Sequence, residues 1–320
     1  MNENILVDLF KKKFDTVPEK ITPVKADASE RKLFLLSAGD SECIGVINGN
    51  VNENIAFIEF SKSFKNAGYN VPEIYDVSDD KKCYTEEYLG LMTLPNAVAS
   101  ISRDEYISVC KNALEDLLKF QTEGINIINF DLCYQTKSFD SEQITFDENK
   151  FIRYYLNKFR PELLRDNMID CFHKLNSILT QDYETYFMYR DFQPRNIMMW
   201  ERSLYYLDYQ SGRKGPLQYD VASFLYSGSA GFNDEEKDIL LNHYLTSLSY
   251  NFIDKGNFLK YYKYFIIIRL VQMLGTYGYL IEKRNDENQL PKIERALGNL
   301  KKVLEEVDEK EIRDCLIKLV

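Results

Sequence analysis

Histidine is almost absent. His173 and His243 are the two in 320 residues, and neither has a partner at metal-ligand spacing. A zinc site is therefore not expected, and a hydrolase triad would have to rely on one of two isolated rings. The six cysteines, Cys43, Cys83, Cys110, Cys133, Cys171 and Cys315, form no Cys-x-x-Cys step. They read as incidental thiols of a reducing cytoplasm, neither a disulfide framework nor a metal knuckle. No uncharged apolar run reaches membrane-spanning length. Tyr261–Leu280 is the longest candidate, but Lys263, Arg269 and Gln272 interrupt it, so it reads as a buried helix. The first residues, Met-Asn-Glu-Asn-Ile-Leu-Val-Asp, set no basic stretch before an apolar one, so no secretory signal is expected. A net charge of −10 and a pI near 5.0 argue against a nucleic-acid partner, which would demand a basic face. Internal repeats and low-complexity tracts are also lacking.

What is present is an aromatic-rich globular chain. Apolar residues make up 45%, with 23 Tyr and 20 Phe, enough for one large core or two modest ones. The most informative run is Phe187-Met188-Tyr189-Arg190-Asp191-Phe192-Gln193-Pro194-Arg195-Asn196-Ile197-Met198-Met199-Trp200, followed by Leu204-Tyr205-Tyr206-Leu207-Asp208-Tyr209-Gln210. It reads as strand, loop, strand, turn, strand. Asp191 and Asn196 share the loop, and Asp208 closes the last strand. Their spacing decides nothing by itself. With 24 Asp and 24 Asn, roughly two Asp-x-x-x-x-Asn pairs arise by chance, and one is present. Context carries the weight: apolar β-type runs flank the loop, the third acid follows a hairpin later, and Gly215-Pro216 then opens an amphipathic helix containing Asp220.

Phosphoryl transfer from a nucleotide needs such a set. Asp191 is the candidate catalytic base, a carboxylate that orients and deprotonates an alcohol. Asn196 and Asp208 offer the hard oxygen ligands that suit Mg²⁺.

The rest of the chain sorts into two regions. Helical spacing over Ile5–Phe14 precedes three strand-like runs, Ile21–Ala26, Lys32–Leu36 and Cys43–Asn48. A helix is expected over 52–66, then strands at 71–75 and 82–88. After Gly90 the pattern turns helical: 104–121, 150–159, 167–180, 220–227, 235–249, 258–281, 292–307 and 309–319. Ser138–Gln143 reads as a polar insertion. The expected fold class is α+β and bilobal: a small antiparallel-sheet amino-terminal lobe, 1–90, and a mostly helical lobe, 91–320.

These motifs resemble the aminoglycoside phosphotransferase and choline kinase-like superfamily, which has a protein-kinase-like fold. Within it they look most like bacterial cell-wall sugar kinases that phosphorylate the anomeric hydroxyl of N-acetylmuramate or N-acetylglucosamine. The resemblance implies ATP as donor, Mg²⁺ as the metal and a cytoplasmic, sugar-like small-molecule reaction. It implies a phosphate-covering hairpin at Ala26–Arg31, with Ser29 and Arg31 on the phosphates. It implies a hinge at Glu86–Gly90, where the main chain of Glu87, Tyr88 and Leu89 meets adenine. It makes Asp220 a brace for the catalytic loop.

Departures from the family pattern accompany these likenesses. Tyr189 stands where such loops commonly carry His, and Tyr209-Gln210 follows Asp208, without the Gly that protein kinases usually keep there. The covering hairpin has no Gly. The third strand lacks the usual phosphate-binding Lys, and Asn48 is its nearest substitute. Without that Lys, the helix acids Glu53 and Glu59 read as surface charges. Near the acceptor, Arg213 and Lys214 suit an anionic substrate, and Tyr134 or the aromatics of 151–159 suit a sugar ring. The competing readings are a nucleotide-binding pseudokinase or adapter, a choline- or aminoglycoside-type kinase, and a protein kinase. The last is disfavoured, because about a dozen residues between Asp208 and Asp220 leave no room for an activation segment.

Overall fold

The computed structural model describes residues 2–24, 31–165, 168–181 and 185–320. In chain order, α1 (Asn2–Phe14) is followed by β1 (Lys20–Val24), β2 (Lys32–Ala38), β3 (Ser41–Ile47), α2 (Val51–Asn66), β4 (Ile74–Val77), β5 (Cys83–Glu87) and α3 (Leu94–Ala97). Next come α4 (Arg103–Ile127), α5 (Ser141–Phe151), a π-helical turn over Ile152–Leu156, α6 (Asn157–Phe159) and α7 (Met168–Leu179). Then follow β6 (Tyr186–Met188), β7 (Ile197–Trp200), β8 (Ser203–Tyr206), β9 (Arg213–Gly215), α8 (Gln218–Leu225), α9 (Asp234–Tyr250), α10 (Lys255–Arg284), α11 (Leu290–Glu305) and α12 (Lys310–Leu316). Two compact units emerge. One gathers Met1–Ser100, Asn126–Lys137 and Arg195–Gly212; the other gathers Ile101–Ile125, Ser138–Pro194 and Arg213–Val320.

The first unit is built on an antiparallel sheet in the order β1-β2-β3-β5-β4. Strand alternation sorts its side chains. Cys43 and Cys83 face α1, where Leu6, Leu9 and Phe10 complete an apolar cluster with Phe34 and Leu36. Tyr84, the next residue along β5, meets Phe57 of α2 at 5.7 Å between ring centroids. The β7–β8 hairpin belongs to this unit. Glu201 and Arg202 at its tip both have positive φ, 49° and 66°, as a two-residue hairpin turn requires. Met199 N–H donates to Met92 O at 2.8 Å and Tyr206 N–H to Asn70 O at 2.9 Å, tying the hairpin to the rest. Tyr209 then stacks on Phe57 at 5.2 Å and shares a buried 2.5 Å hydroxyl contact with Ser61.

The second unit is mostly helical. Its central helix, α10, buries Phe265, Ile267, Ile268, Leu270, Val271 and Leu274. By length and composition alone α10 could cross a membrane, yet 72% of its most apolar window is buried within the structure. It packs on α5, α8 and α11. Two of its glycines make close approach possible: a Cβ on Gly275 would sit 2.8 Å from Phe151 N, and one on Gly278 would sit 2.3 Å from Tyr154 O.

Several elements differ from the sequence reading. The strand expected at 71–75 is β4, which starts three residues later and ends two residues later, and Pro72, which has no N–H for the ladder, lies ahead of it. The polar stretch 138–143 is the start of α5, capped by the Asp140 carboxylate accepting Gln143 N–H at 3.0 Å. Its inner face buries Gln143, Asp147 and Glu148 alongside Ile144 and Phe151, so its hydrophobic periodicity is weak. The helix expected at 150–159 is instead the end of α5, the π turn and α6. Residues 213–215, read as loop, form β9 against β6.

Glu148 is 5% exposed, and its Oε1 has no hydrogen-bond partner. Burial, reinforced by Asp147, pushes its pKa up to about 8 from an ordinary 4.5. The folded chain therefore keeps this proton where the unfolded chain has lost it. The associated stability is present below about pH 4.5 and is lost as pH rises through about 8. Glu148→Gln should consequently gain stability over wild type with rising pH, on the order of 2 kcal/mol by pH 8.5. Paired urea titrations at pH 5 and pH 8.5 check this; equal differences at both would refute it.

Candidate functional site

Asp191 and its loop lie in the second unit. The buried Asp220 carboxylate at the start of α8 accepts two consecutive backbone amides, Tyr189 N–H at 2.7 Å and Arg190 N–H at 2.8 Å. Arg190 holds φ at +78°, a conformation that non-glycine residues avoid, so this double bond fixes a strained turn one residue before Asp191. Gln121 of α4 donates to Asp220 at 3.4 Å, and the buried Tyr244 donates to Gln121 at 2.6 Å. Burial pushes the Asp220 pKa up to about 7 against the lowering effect of these donors. The Arg190 side chain turns inward, ion-pairs with Asp147 at 2.6 Å and bonds the Tyr219 hydroxyl. Asp191 remains partly exposed and accepts Gln193 Nε2 at 3.3 Å. Gln193 is itself held by Ser227 at 3.3 Å.

Asn196 and Asp208 lie in the first unit, at the two ends of the β7–β8 hairpin. Leu207 N–H donates to Asn196 O at 2.9 Å, closing the hairpin beneath them. Asn196 Nδ2 then reaches Asp208 Oδ2 at 3.3 Å. Asp208 has φ of +70°, so it too lies in the left-handed region that non-glycine residues avoid. Its other oxygen, Oδ1, accepts Arg31 Nη2 at 2.5 Å and Gln210 Nε2 at 2.9 Å. Arg31 Nε lies 3.6 Å from Glu53 Oε1. Burial alone would raise the Asp208 pKa, but the Arg31 charge and the bonds from Gln210 and Arg31 hold it below the usual carboxylate value. Among the described residues the buried Oε2 of nearby Glu86 has no hydrogen-bond partner, and burial pushes the Glu86 pKa up to about 8.

Among the described residues, no three His, Cys, Asp or Glu side chains gather where they could hold a metal. The Asp208–Asn196 pair is a different donor set, a carboxylate and an amide, and it fits a hard cation. The guanidinium of Arg31 already occupies the place of a positive partner on Asp208.

The remaining expected site residues are distributed unevenly. Ser29 lies outside the described residues. Asn48 is committed to the β3–α2 turn: its Nδ2 donates to Glu53 at 3.2 Å and Asn54 at 3.0 Å, and its oxygen accepts Asn50 N–H at 3.1 Å. Its amide is thus engaged on both sides within that turn. The reading of Glu53 as a surface charge is also corrected: Glu53 faces Arg31, while Glu59 is exposed and pairs with Lys62 at 2.9 Å. Glu87 N–H is used by Glu73 O at 2.8 Å, and its carboxylate by Lys65 at 3.0 Å. Tyr88 and Leu89 lie beyond the end of β5. Gly90 follows with φ of +72°, where a Cβ would meet the Trp200 ring at 2.7 Å. Tyr134 contacts Ser211 Oγ at 3.1 Å in the first unit. Arg213 and Lys214 do not form a cationic pair. They alternate on β9, so Arg213 is fully buried and bonded to Gln143 at 2.5 Å, whereas Lys214 is exposed.

No protein-family model matches the chain. An N-acetylmuramate/N-acetylglucosamine kinase from Pseudomonas aeruginosa is 22% identical over 231 residues, 71% of this chain and 65% of that relative. The chain thus spans less than two thirds of that relative's length. A choline kinase from Cryptosporidium parvum Iowa II superposes with a TM-score of 0.70 at 12% identity, covering 95% of this chain and 97% of its own. An amicoumacin kinase in complex with AMP-PNP and Ca²⁺ gives 0.65 at 12% identity, over 98% and 94%. Aminoglycoside phosphotransferases are also among the structural neighbours. The fold is protein-kinase-like. The expected antiparallel sheet and mostly helical remainder are both present.

Sequence reasoning missed Asp147, Gln121 and Tyr219, which hold the Asp191 loop from elements far along the chain. Nothing local marks them. The weight of the Asp220 brace is testable. Asp220→Ala strands two buried amides and should cost about 2–5 kcal/mol in urea unfolding, with Asp220→Asn, which keeps one acceptor, losing less. Equal stability of wild type and Asp220→Ala would show that the loop is held otherwise.

Proposed function

We propose that this protein is an ATP- and Mg²⁺-dependent phosphotransferase acting on the hydroxyl of a small molecule, a sugar or amino sugar first among them, in the cytoplasm. The observation that carries the reading is the first unit's convergence of Arg31, Asn196 and Asp208, with Asp191 on a braced loop. The relative named for N-acetylmuramate and N-acetylglucosamine supports the sugar. The neighbour in complex with AMP-PNP and Ca²⁺ supports a nucleotide donor with a divalent cation.

In this mechanism Asp191 accepts the hydrogen bond of the acceptor hydroxyl and fixes its oxygen for in-line attack. A bond forms from that oxygen to the γ-phosphorus of ATP. The bond from the γ-phosphorus to the β–γ bridging oxygen breaks, and its electron pair leaves with ADP. The hydroxyl proton passes to Asp191. Mg²⁺, when bound, neutralises phosphate charge, and Asp208 and Asn196 are the residues that would hold it. Arg31 supplies the cation that the third strand lacks. Its partner is Glu53 of α2, so the strand-lysine to helix-acid pair of related folds is replaced by an arginine from β2's leading edge. A guanidinium grips phosphate through several N–H groups and stays charged when buried. This answers one of the two motives of the pseudokinase reading, the missing lysine; the other is the glycine-free covering loop.

The test is ADP release from Mg-ATP with a panel of amino sugars, neutral sugars, choline and aminoglycosides. Turnover with an amino sugar is expected. Asp191→Asn should lower kcat by about 10²–10⁴-fold while leaving nucleotide binding intact. Arg31→Met should raise the KM for ATP, with Arg31→Lys recovering part of the loss. Absence of turnover with every acceptor, together with no Mg-ATP binding by calorimetry, would overturn the assignment.

A further inference from the structure

The second unit holds two cations that the reading above leaves unused. Close packing at Gly275 and Gly278 brings α10 against the end of α5, and this places Lys150 Nζ 3.0 Å from Thr276 Oγ1. The Tyr279 ring centroid lies 5.6 Å from the same nitrogen. Two turns earlier on α10, Arg269 is 3% exposed and donates from Nη1 to Gln272 Oε1 at 2.7 Å. Its Nε is buried with no hydrogen-bond partner. Lys150 stands in the electrostatic field of Asp147, Arg190, Asp191 and Arg269, and burial holds its pKa below the ordinary lysine value.

Charge accounting isolates this pair. Arg190 is neutralised by Asp147 at 2.6 Å. Among the described residues, neither Lys150 nor Arg269 forms an ion pair with a carboxylate; their side-chain bonds run to Thr276 and Gln272. Burying a cation without an ion pair is costly, and Arg269 is such a cation; the partly exposed Lys150 lies within its field, together with Asp147 and Asp191. Lys150, Gln272, Thr276 and Tyr279 all keep partial exposure, so the cluster is open to a ligand. The chain leaves Lys150 through the π turn at Ile152–Leu156, an irregularity that recurs at functional positions in helices.

We propose that Lys150 and Arg269, supported by Thr276 and Gln272, form a subsite for an oxyanion substituent of the acceptor, a carboxylate or a phosphate. The inference rests on the phosphotransferase reading for the word acceptor, and it narrows the substrate to an anionic sugar. It also moves the anion-recognising charge from Arg213 and Lys214 to residues beside Asp191. Cationic acceptors such as choline or aminoglycosides would be opposed by the same pair.

The experiment is calorimetric binding to the full chain, without nucleotide, of three probes: N-acetylglucosamine, N-acetylmuramate and N-acetylglucosamine 6-phosphate. The first is neutral, and the others add a carboxylate or a phosphate. Wild type should bind at least one anionic probe about tenfold more tightly than the neutral one. Which anion gains more identifies the substituent. Lys150→Met should abolish that preference through the anionic probe's affinity alone. Arg269→Gln, checked for native circular dichroism, should do the same. No preference in wild type, or a preference that survives Lys150→Met, would overturn the subsite. Binding is read apart from turnover. Anion preference without Mg-ATP binding or ADP release would defeat the phosphotransferase reading alone, and turnover without anion preference would defeat the subsite alone.

Discussion

One buried carboxylate governs the geometry of the proposed base. Asp220 accepts the amides of Tyr189 and Arg190, and the turn it holds includes a non-glycine residue at φ +78°. Such a backbone state costs on the order of 1–3 kcal/mol and persists only where its surroundings over-determine it. Here they do. Gln121 and Tyr244 steady Asp220 from behind, and the inward Arg190 side chain locks onto Asp147 and Tyr219. The loop is therefore fixed by bonds from α4, α5, α8 and α9 before any ligand arrives. Preorganisation of this kind lets a carboxylate of ordinary chemistry act as a positioning base.

The first unit applies the same principle to charge. Asp208 is carried by a hairpin whose tip, closure and flanking aromatic stack are all regular, yet its own backbone is left-handed. Its carboxylate stays ionised in a buried setting because Arg31 and Gln210 donate to it. Glu86 shows the contrast. It shares the neighbourhood but has an unpartnered oxygen, and burial drives its pKa up to about 8. Two nearby acids are thus shifted in opposite directions according to the donors each one meets.

How far the sequence disclosed this depends on the range of the interaction. The β7–β8 hairpin and the core helices were legible because their signals are local: apolar alternation, a short turn and periodic aliphatics. The kinase-like order of strands and helices was legible for the same reason. Arg31 was suspected from its place in a hairpin, but its partners Glu53 and Asp208 are 22 and 177 positions away, and no local pattern joins them. The turn bonds of Asn48 were not legible either, because they form only once β3 and α2 are in place.

The α5 region illustrates the limit most clearly. Its inward face mixes Gln143, Asp147 and Glu148 with Ile144 and Phe151, so the hydrophobic period is diluted and its first residues read as a polar insertion. Those polar residues are there because they bond other buried polar groups. Asp147 takes Arg190 and Gln143 takes Arg213. Arg213 looked like a substrate contact because two adjacent cations on a presumed loop suggest one surface. On a strand they face opposite ways, and Arg213 goes inward to meet Gln143. The same buried polar layer that conceals the helix also consumes Arg213. Among the described residues it leaves Lys150 and Arg269 in no ion pair with a carboxylate, bonded instead to Thr276 and Gln272.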